Sequence, residues 1–296
     1  MREQAQAAKP RNIFLCLLAM AFFSTSDILA KMLSVTLHPL QIAWFRYMVA
    51  IIAAAPLLTA FRGRIRSQHH SVQLVRGAAM LSSTLFLIAA LRLLPVAEAT
   101  ALVFVSPLII TTLSVLLLRE VVSPLRWLIV LLGFLGVLII IRPGNEGFAW
   151  TAFLPLCSSL CWALGVIYTR KVVAVDTPLT TLVYSAVTGF VAISALVPFN
   201  FISPTMDQLL LGTAMGLLWV AAHICITLAY SSAPASQLAP YSFTQIIWAA
   251  LLGYLVFSHT PDALAILGCG VIIASGMLSI STRLAAERCQ GNRSSD

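Results

Sequence analysis

Residues Ala90–Pro143 read ALRLLPVAEATALVFVSPLIITTLSVLLLREVVSPLRWLIVLLGFLGVLIIIRP. Two apolar runs, Val96 to Leu118 and Leu125 to Ile141, flank a short charged joint, Arg119-Glu120. Each run is close to the ~20 apolar residues a membrane-spanning helix needs. The same pattern recurs, worn, at Ala229 to Ser281. Placing Glu120 on His259 puts Pro95 on Pro234, Phe104 on Phe243, Leu113 on Leu252 and Leu116 on Leu255. It also puts Leu125 on Leu264 and Leu128 on Leu267. What repeats is a pattern: proline, helix, polar joint, helix with a glycine near its end.

Composition agrees. Of 296 residues, 60% are hydrophobic and 9% charged, and the mean hydropathy is +0.96. A soluble domain carries about 25% charged residues, so this chain reads as an integral membrane protein. The net charge of +8 does not point to nucleic acid, because the cations sit mostly between apolar runs. The six cysteines (16, 157, 161, 225, 269, 289) form no Cys-x-x-Cys pair, and five lie in apolar runs, where a free cysteine acts as a small hydrophobe. Neither a disulfide framework nor a metal site is expected. The first run follows Arg2, Lys9 and Arg11 but lacks a prompt small-x-small cleavage site and resumes to Leu33. It reads as a retained span, not a signal peptide.

Ten apolar runs can be drawn: 13–33, 39–60, 72–91, 96–118, 125–141, 149–169, 178–198, 208–230, 235–257 and 263–281. They are long and continuous rather than alternating, which predicts helices and not a barrel. With the N-terminus cytoplasmic, the inner positions hold Arg2, Lys9, Arg11, Arg62, Arg64, Arg66, Arg76, Arg119, Arg126, Arg170, Lys171, Arg283, Arg288 and Arg293. That is fourteen of the 18 basic residues, so the positive-inside rule puts both termini inside. Arg62, Arg64 and Arg66, with His69 and His70, form a basic inner loop suited to setting topology or meeting anionic lipid. From Pro95 to Pro234 the chain crosses the bilayer five times, so the two copies face opposite ways. The expected fold class is an all-α polytopic membrane protein of ten transmembrane helices in two inverted five-helix repeats, residues 1–143 and 144–296. That architecture is common among secondary transporters.

"ALRLLPVAEATALVFVSPLIITTLSVLLLREVVS", "GFLGVLIIIRPG" and "LAYSSAPASQLAPYSFTQIIWAALLGYLVFSHTPD" together resemble the EamA domain of the drug/metabolite transporter superfamily. The resemblance covers nearly the whole chain as two EamA repeats. "STSDILAKMLSVTLHPLQIAWFRYM" is similar to bacterial branches that import S-adenosylmethionine or riboflavin, and amino-acid exporters lie in the same superfamily. The resemblance implies a metabolite carrier of the bacterial inner membrane. It also implies a glutamate where this chain has His259, so the charged joint is intact only at Arg119-Glu120.

Two groups of residues are candidates for the site. Asp27 and Lys31 share one helix face, and with Arg46, Arg92 and Glu98 they fall in the outer third of the membrane. Charges in a span are expensive and default to function, so these five read as an outer gate or coupling group. The alternative is internal ion pairing, Asp27 with Lys31 or Arg46 and Arg92 with Glu98. In the second half, Trp162, Trp219, His223, Tyr241 and Gln245 read as a substrate-binding lining. Trp219 and His223 share a face, as do Tyr241 and Gln245, and aromatic walls suit a planar or cationic solute. Pro107, Pro155 and Pro240 are expected to kink their helices. Gly212 with Gly216, and Gly133 with Gly136, permit close helix approach.

No Gly-x-x-x-x-Gly-Lys-Ser/Thr loop and no Gly-x-Ser-x-Gly elbow occurs. The chain is therefore not expected to be an enzyme or to hold a cofactor. A membrane-embedded enzyme would need a paired acid–base set, and a scaffold subunit would need larger loops. The expected partners are a small-molecule substrate, the lipid bilayer and protons as the candidate coupling ion, with no nucleic acid. The oligomeric state is expected to be monomer or homodimer.

Overall fold

The computed structural model describes residues 10–60, 67, 69–118, 124–141, 150–172, 176, 178–231, 241–258 and 261–293. The joint Arg119-Glu120, its counterpart His259, Pro234, Pro240 and the basic loop residues Arg62, Arg64 and Arg66 lie outside the described residues. Among the described residues all regular structure is helical. The first half holds α1 (Pro10–Leu33), α2 (Pro39–Ala60), α3 (His70–Leu93), α4 (Val96–Val103), α5 (Ser106–Leu118) and α6 (Pro124–Ile141). The second holds α7 (Phe153–Val172), α8 (Pro178–Leu196), α9 (Met206–Ser231), α10 (Thr244–Phe257) and α11 (Ala263–Arg293).

Five segments are long and apolar enough to cross a membrane by length and composition: Pro10–Leu33, His70–Leu93, Trp150–Thr169, Val183–Asn200 and Met206–Ile226. Four shorter apolar helices accompany them. Large apolar side chains such as Leu128, Leu131, Phe134 and Leu135 on α6 are exposed. That face suits lipid, where no polar group is needed for solvation.

One expected span is broken in two. The run 96–118 forms α4 and α5, separated by a turn at Phe104 and Val105. Pro107 is the reason. It has no N–H to give the Val103 carbonyl, and its ring is tolerated only in the first turn of a helix. The helix therefore restarts at Ser106. The break is approached from α7: the single Ser159 hydroxyl lies 3.1 Å from Val103 O, the carbonyl that Pro107 cannot serve, and 3.0 Å from both Leu102 O and Pro155 O, so it is shared among them. The second half has a matching irregularity, a turn at Phe243 just before α10. Phe104 and Phe243 are the residues that the internal repeat superimposes, and their rings touch, with centroids 5.1 Å apart.

The packing has the same exchange property. Taking α1, α2, α3, α4–α5 and α6 as counterparts of α7, α8, α9, α10 and α11, each main contact has its mate. α1 packs on α9 as α7 packs on α3, and α2 on α9 as α8 on α3. α1 packs on α10 as α7 packs on α4 and α5. α2–α8, α4–α10 and α6–α11 map onto themselves. Where α6 crosses α11 the backbones nearly touch, since a Cβ on Gly268 would fall 2.8 Å from the Gly136 carbonyl. The expected small-residue approach at Gly136 is thus present. So is the one at Gly212 and Gly216, which lie under Phe45 and Val49 of α2.

Gly276 of α11 lies under the Phe243 ring, and a Cβ there would fall 1.8 Å from Phe243 Cζ. Gly276→Ala should therefore destabilise the protein by about 1–3 kcal/mol, the usual cost of overpacking. Gly276→Ala with Phe243→Ala should cost less than the two single changes added together. Thermal unfolding in detergent measures both, and strict additivity would show that the contact is not tight.

Candidate functional site

α1 is the spine of the site. Ser24, Ser26 and Asp27 are buried on it. Asp27 Oδ1 accepts a hydrogen bond from Arg46 Nη2 at 2.8 Å, with both side chains almost inaccessible. The same Arg46 nitrogen lies 3.3 Å from the Ser26 carbonyl. Gln245 Nε2, from α10, lies 3.5 Å from Asp27 Oδ2, while Ser24 Oγ donates to the Gln245 carbonyl at 3.0 Å. Ser26 Oγ donates to Met215 O of α9, also at 3.0 Å. One turn of α1 thus ties α2, α9 and α10 together through polar groups.

Between the two partners expected for Asp27, Arg46 takes the place and Lys31 does not. The guanidinium fork matches a carboxylate and tolerates burial better than an ammonium. Lys31 instead donates to Leu91 O at 2.8 Å and Leu94 O at 2.5 Å. It thereby caps the C-terminal end of α3, where a cation is favoured by the helix dipole. Its ammonium also lies 5.7 Å from the Phe257 ring centroid. Arg92 is exposed at the end of α3, and Glu98 is half-buried in the first turn of α4.

The five aromatic and polar candidates do not form one cluster. Trp219 and His223 do meet, with ring centroids 4.0 Å apart. His223 Nδ1 lies 2.9 Å from the Trp219 carbonyl, so that nitrogen carries the proton and donates. Phe23 stands edge-on to His223 and Tyr47 tilts against Trp219. Gln245 belongs with Asp27. Tyr241 packs one turn away against Cys16 and Ala229. Trp162 is on α7 and 40% exposed. It lies about 200° round the helix from exposed Leu160, on the side of buried Pro155, Ser158 and Ser159.

Three features were missed in the sequence. A cavity of about 300 Å³ opens beside Lys31, between the α3–α4 turn and the end of α10. A polar latch joins the first turn of α2 to the segment after α8: Gln41 Nε2 donates to Ile202 O at 2.7 Å and Gln41 Oε1 accepts from Ile202 N at 3.1 Å. At the opposite end, buried Asp176 accepts from Ser67 Oγ at 2.5 Å and Gln73 Nε2 at 2.8 Å. Beside it Arg76, expected as a topology cation, is buried against Thr169, Ser185 and the Thr181 carbonyl. Asp176 stands at a joint between apolar runs, where hydropathy carries no signal, and Gln41 is a lone polar residue in the first turn of α2. The i,i+3 pair Gln73 and Arg76 was the legible clue.

The EamA-like transporter family matches residues 11–142 and 149–281. A riboflavin transporter of Rhizobium johnstonii is 31% identical over 206 residues, 68% of this chain and 67% of its own. An S-adenosylmethionine uptake transporter of Rickettsia bellii is 26% identical over 266 residues, 89% and 91% of the two chains. A solved crystal structure, 20% identical, superimposes with a TM-score of 0.64 over 93% of this chain and 98% of its own. It shares the fold.

Removing one member of a buried ion pair strands the other, at a cost of about 3–5 kcal/mol, whereas replacing both by apolar groups is close to neutral. Arg46→Met should therefore destabilise the protein more than Arg46→Met combined with Asp27→Leu. Unfolding midpoints in detergent test this. A double variant no more stable than the single one would mean that the pair is not buried as described.

Proposed function

The chain belongs to the EamA-like transporter family, and on that premise we propose that it is a secondary carrier. It moves a small organic metabolite across the bacterial inner membrane by alternating access. Ten spans form two inverted repeats, residues 1–143 and 144–296, with both termini cytoplasmic. The observation that carries this reading is the exchange of contacts between the halves, centred on the touching rings of Phe104 and Phe243. Two such halves can rock about a site at their interface and open to each side in turn.

Gln41–Ile202 and Ser67/Gln73–Asp176 are the groups that part. On the proposed orientation the first latch is extracellular and the second cytoplasmic, and each joins one half to the other. A hydrogen bond between neutral groups contributes about 0.5–1.5 kcal/mol net, so the two of the Gln41–Ile202 latch can break within a transport cycle, while the Asp176 end, with its carboxylate and the adjoining Arg76 bonds, is the firmer of the two. Asp27, Lys31, Arg46, Arg92 and Glu98 form the outer gate and coupling group. Asp27, braced by Arg46, is the candidate proton carrier.

The solute binds against Trp162, Trp219, His223, Tyr241 and Gln245 once the halves part. The relatives' names, riboflavin and S-adenosylmethionine transporter, share one chemistry: a planar nitrogen heterocycle with a polar chain. The aromatic cluster suits the ring, and Gln245 beside Asp27 suits its hydrogen-bonding edge.

The test is uptake into proteoliposomes with labelled riboflavin and S-adenosylmethionine. Saturable uptake of at least one is expected. Trp219→Ala should raise the apparent KM about three- to tenfold, the worth of an aromatic contact of about 0.5–1.5 kcal/mol. Asp27→Asn should abolish proton-driven accumulation while leaving counterflow exchange. No saturable uptake of either solute would overturn the substrate reading, and wild-type kinetics in Trp219→Ala would remove the aromatic cluster from the path.

A further inference from the structure

Resting on the carrier reading, we propose that the outer cavity beside Lys31 is a distinct subsite for the carboxylate of a dipolar, amino-acid-like solute. The cavity measures about 300 Å³, and among the described residues Lys31 is the one charged side chain in a wall otherwise made of side chains such as Pro95, Val96, Ala249 and Phe257. That is the usual character of a small-molecule site: apolar walls with a few placed polar groups.

Lys31 is held ready for an anion. Its two hydrogen bonds among the described residues go to the backbone carbonyls of Leu91 and Leu94. An ammonium has three donors, so one remains for a ligand at the cavity wall. The two carbonyls and the Phe257 face fix the nitrogen in place. Glu98 stands in the first turn of α4, whose residues Val96 and Ala97 line the cavity. A dipolar solute tolerates this acidic turn better than a bare anion does. Lys31 also lies one helical turn, about 6 Å, outward of Asp27 on α1. A solute docked there by its head would point its remainder at the inner site.

Gly253 provides a steric probe. It lines the cavity, and a Cβ built on it meets nothing within 4 Å. A Cβ at this position therefore displaces no packed atoms, and Gly253→Leu extends a longer side chain from it at the cavity wall.

The experiment uses the full chain in proteoliposomes, with labelled S-adenosylmethionine competed by its decarboxylated analogue and labelled riboflavin run in parallel. The wild type should prefer the carboxylate-bearing solute at least tenfold. Lys31→Gln should lose that preference and Lys31→Arg keep most of it. Gly253→Leu, with an unchanged unfolding midpoint, should raise the half-saturation concentration tenfold or more. An intact preference in Lys31→Gln, or wild-type uptake in Gly253→Leu, would overturn the subsite and leave the carrier reading standing. Uptake of riboflavin alone would overturn the carboxylate assignment. Uptake of neither would count against the carrier reading as well.

Discussion

Hydrocarbon supplies no hydrogen bonds, so every polar group inside it must be met by the protein. The polar architecture of this chain follows from that constraint. Pro107 forces a break between α4 and α5, and the Ser159 hydroxyl reaches the carbonyls beside it. The end of α3 leaves carbonyls open, and Lys31 meets those of Leu91 and Leu94. Asp27 cannot stay charged alone, and Arg46 meets it. Two of these solutions tie α1 to α2 and α3 within the first half, and the Ser159 contact ties the first half to the second.

The halves meet at irregular helices as well as at regular ones. Phe104 and Phe243 stand at turns in equivalent segments and touch. An irregular segment has fewer internal hydrogen bonds to break and so bends at lower cost than a continuous helix. The regular helices α6 and α11 are instead closely crossed at Gly136 and Gly268. The resulting interface combines a contact between two turns, a tightly crossed helix pair and polar contacts at Gln41 and at Asp176.

Much of the helical layout was legible in the sequence, because a run of apolar residues is a strong signal and the offset between Phe104 and Phe243 could be read directly. The kink expected at Pro107 emerged as a full break slightly earlier, since a proline is best placed inside the first turn of a new helix. Neighbours were less legible than faces. Periodicity put Asp27 and Lys31 on one side of α1 but could not say that Arg46 would take the carboxylate while Lys31 reached α3. It likewise grouped Trp162 and Tyr241 with Trp219, although they lie on α7 and beside Cys16. Asp176 was overlooked because it sits at a joint, where hydropathy has little to say, and Gln41 because a single neutral polar residue barely dents the apolar run 39–60.

The central claim is that the two halves move against each other and that the Gln41–Ile202 contact must open for solute to pass. The most direct measurement is reversible cross-linking of that contact. Gln41→Cys and Ile202→Cys, introduced together on a cysteine-free background, can be oxidised in proteoliposomes and then reduced. The account predicts that uptake stops in proportion to the cross-linked fraction and returns on reduction, while each single variant is indifferent to oxidant. Undiminished uptake by fully cross-linked protein would contradict it.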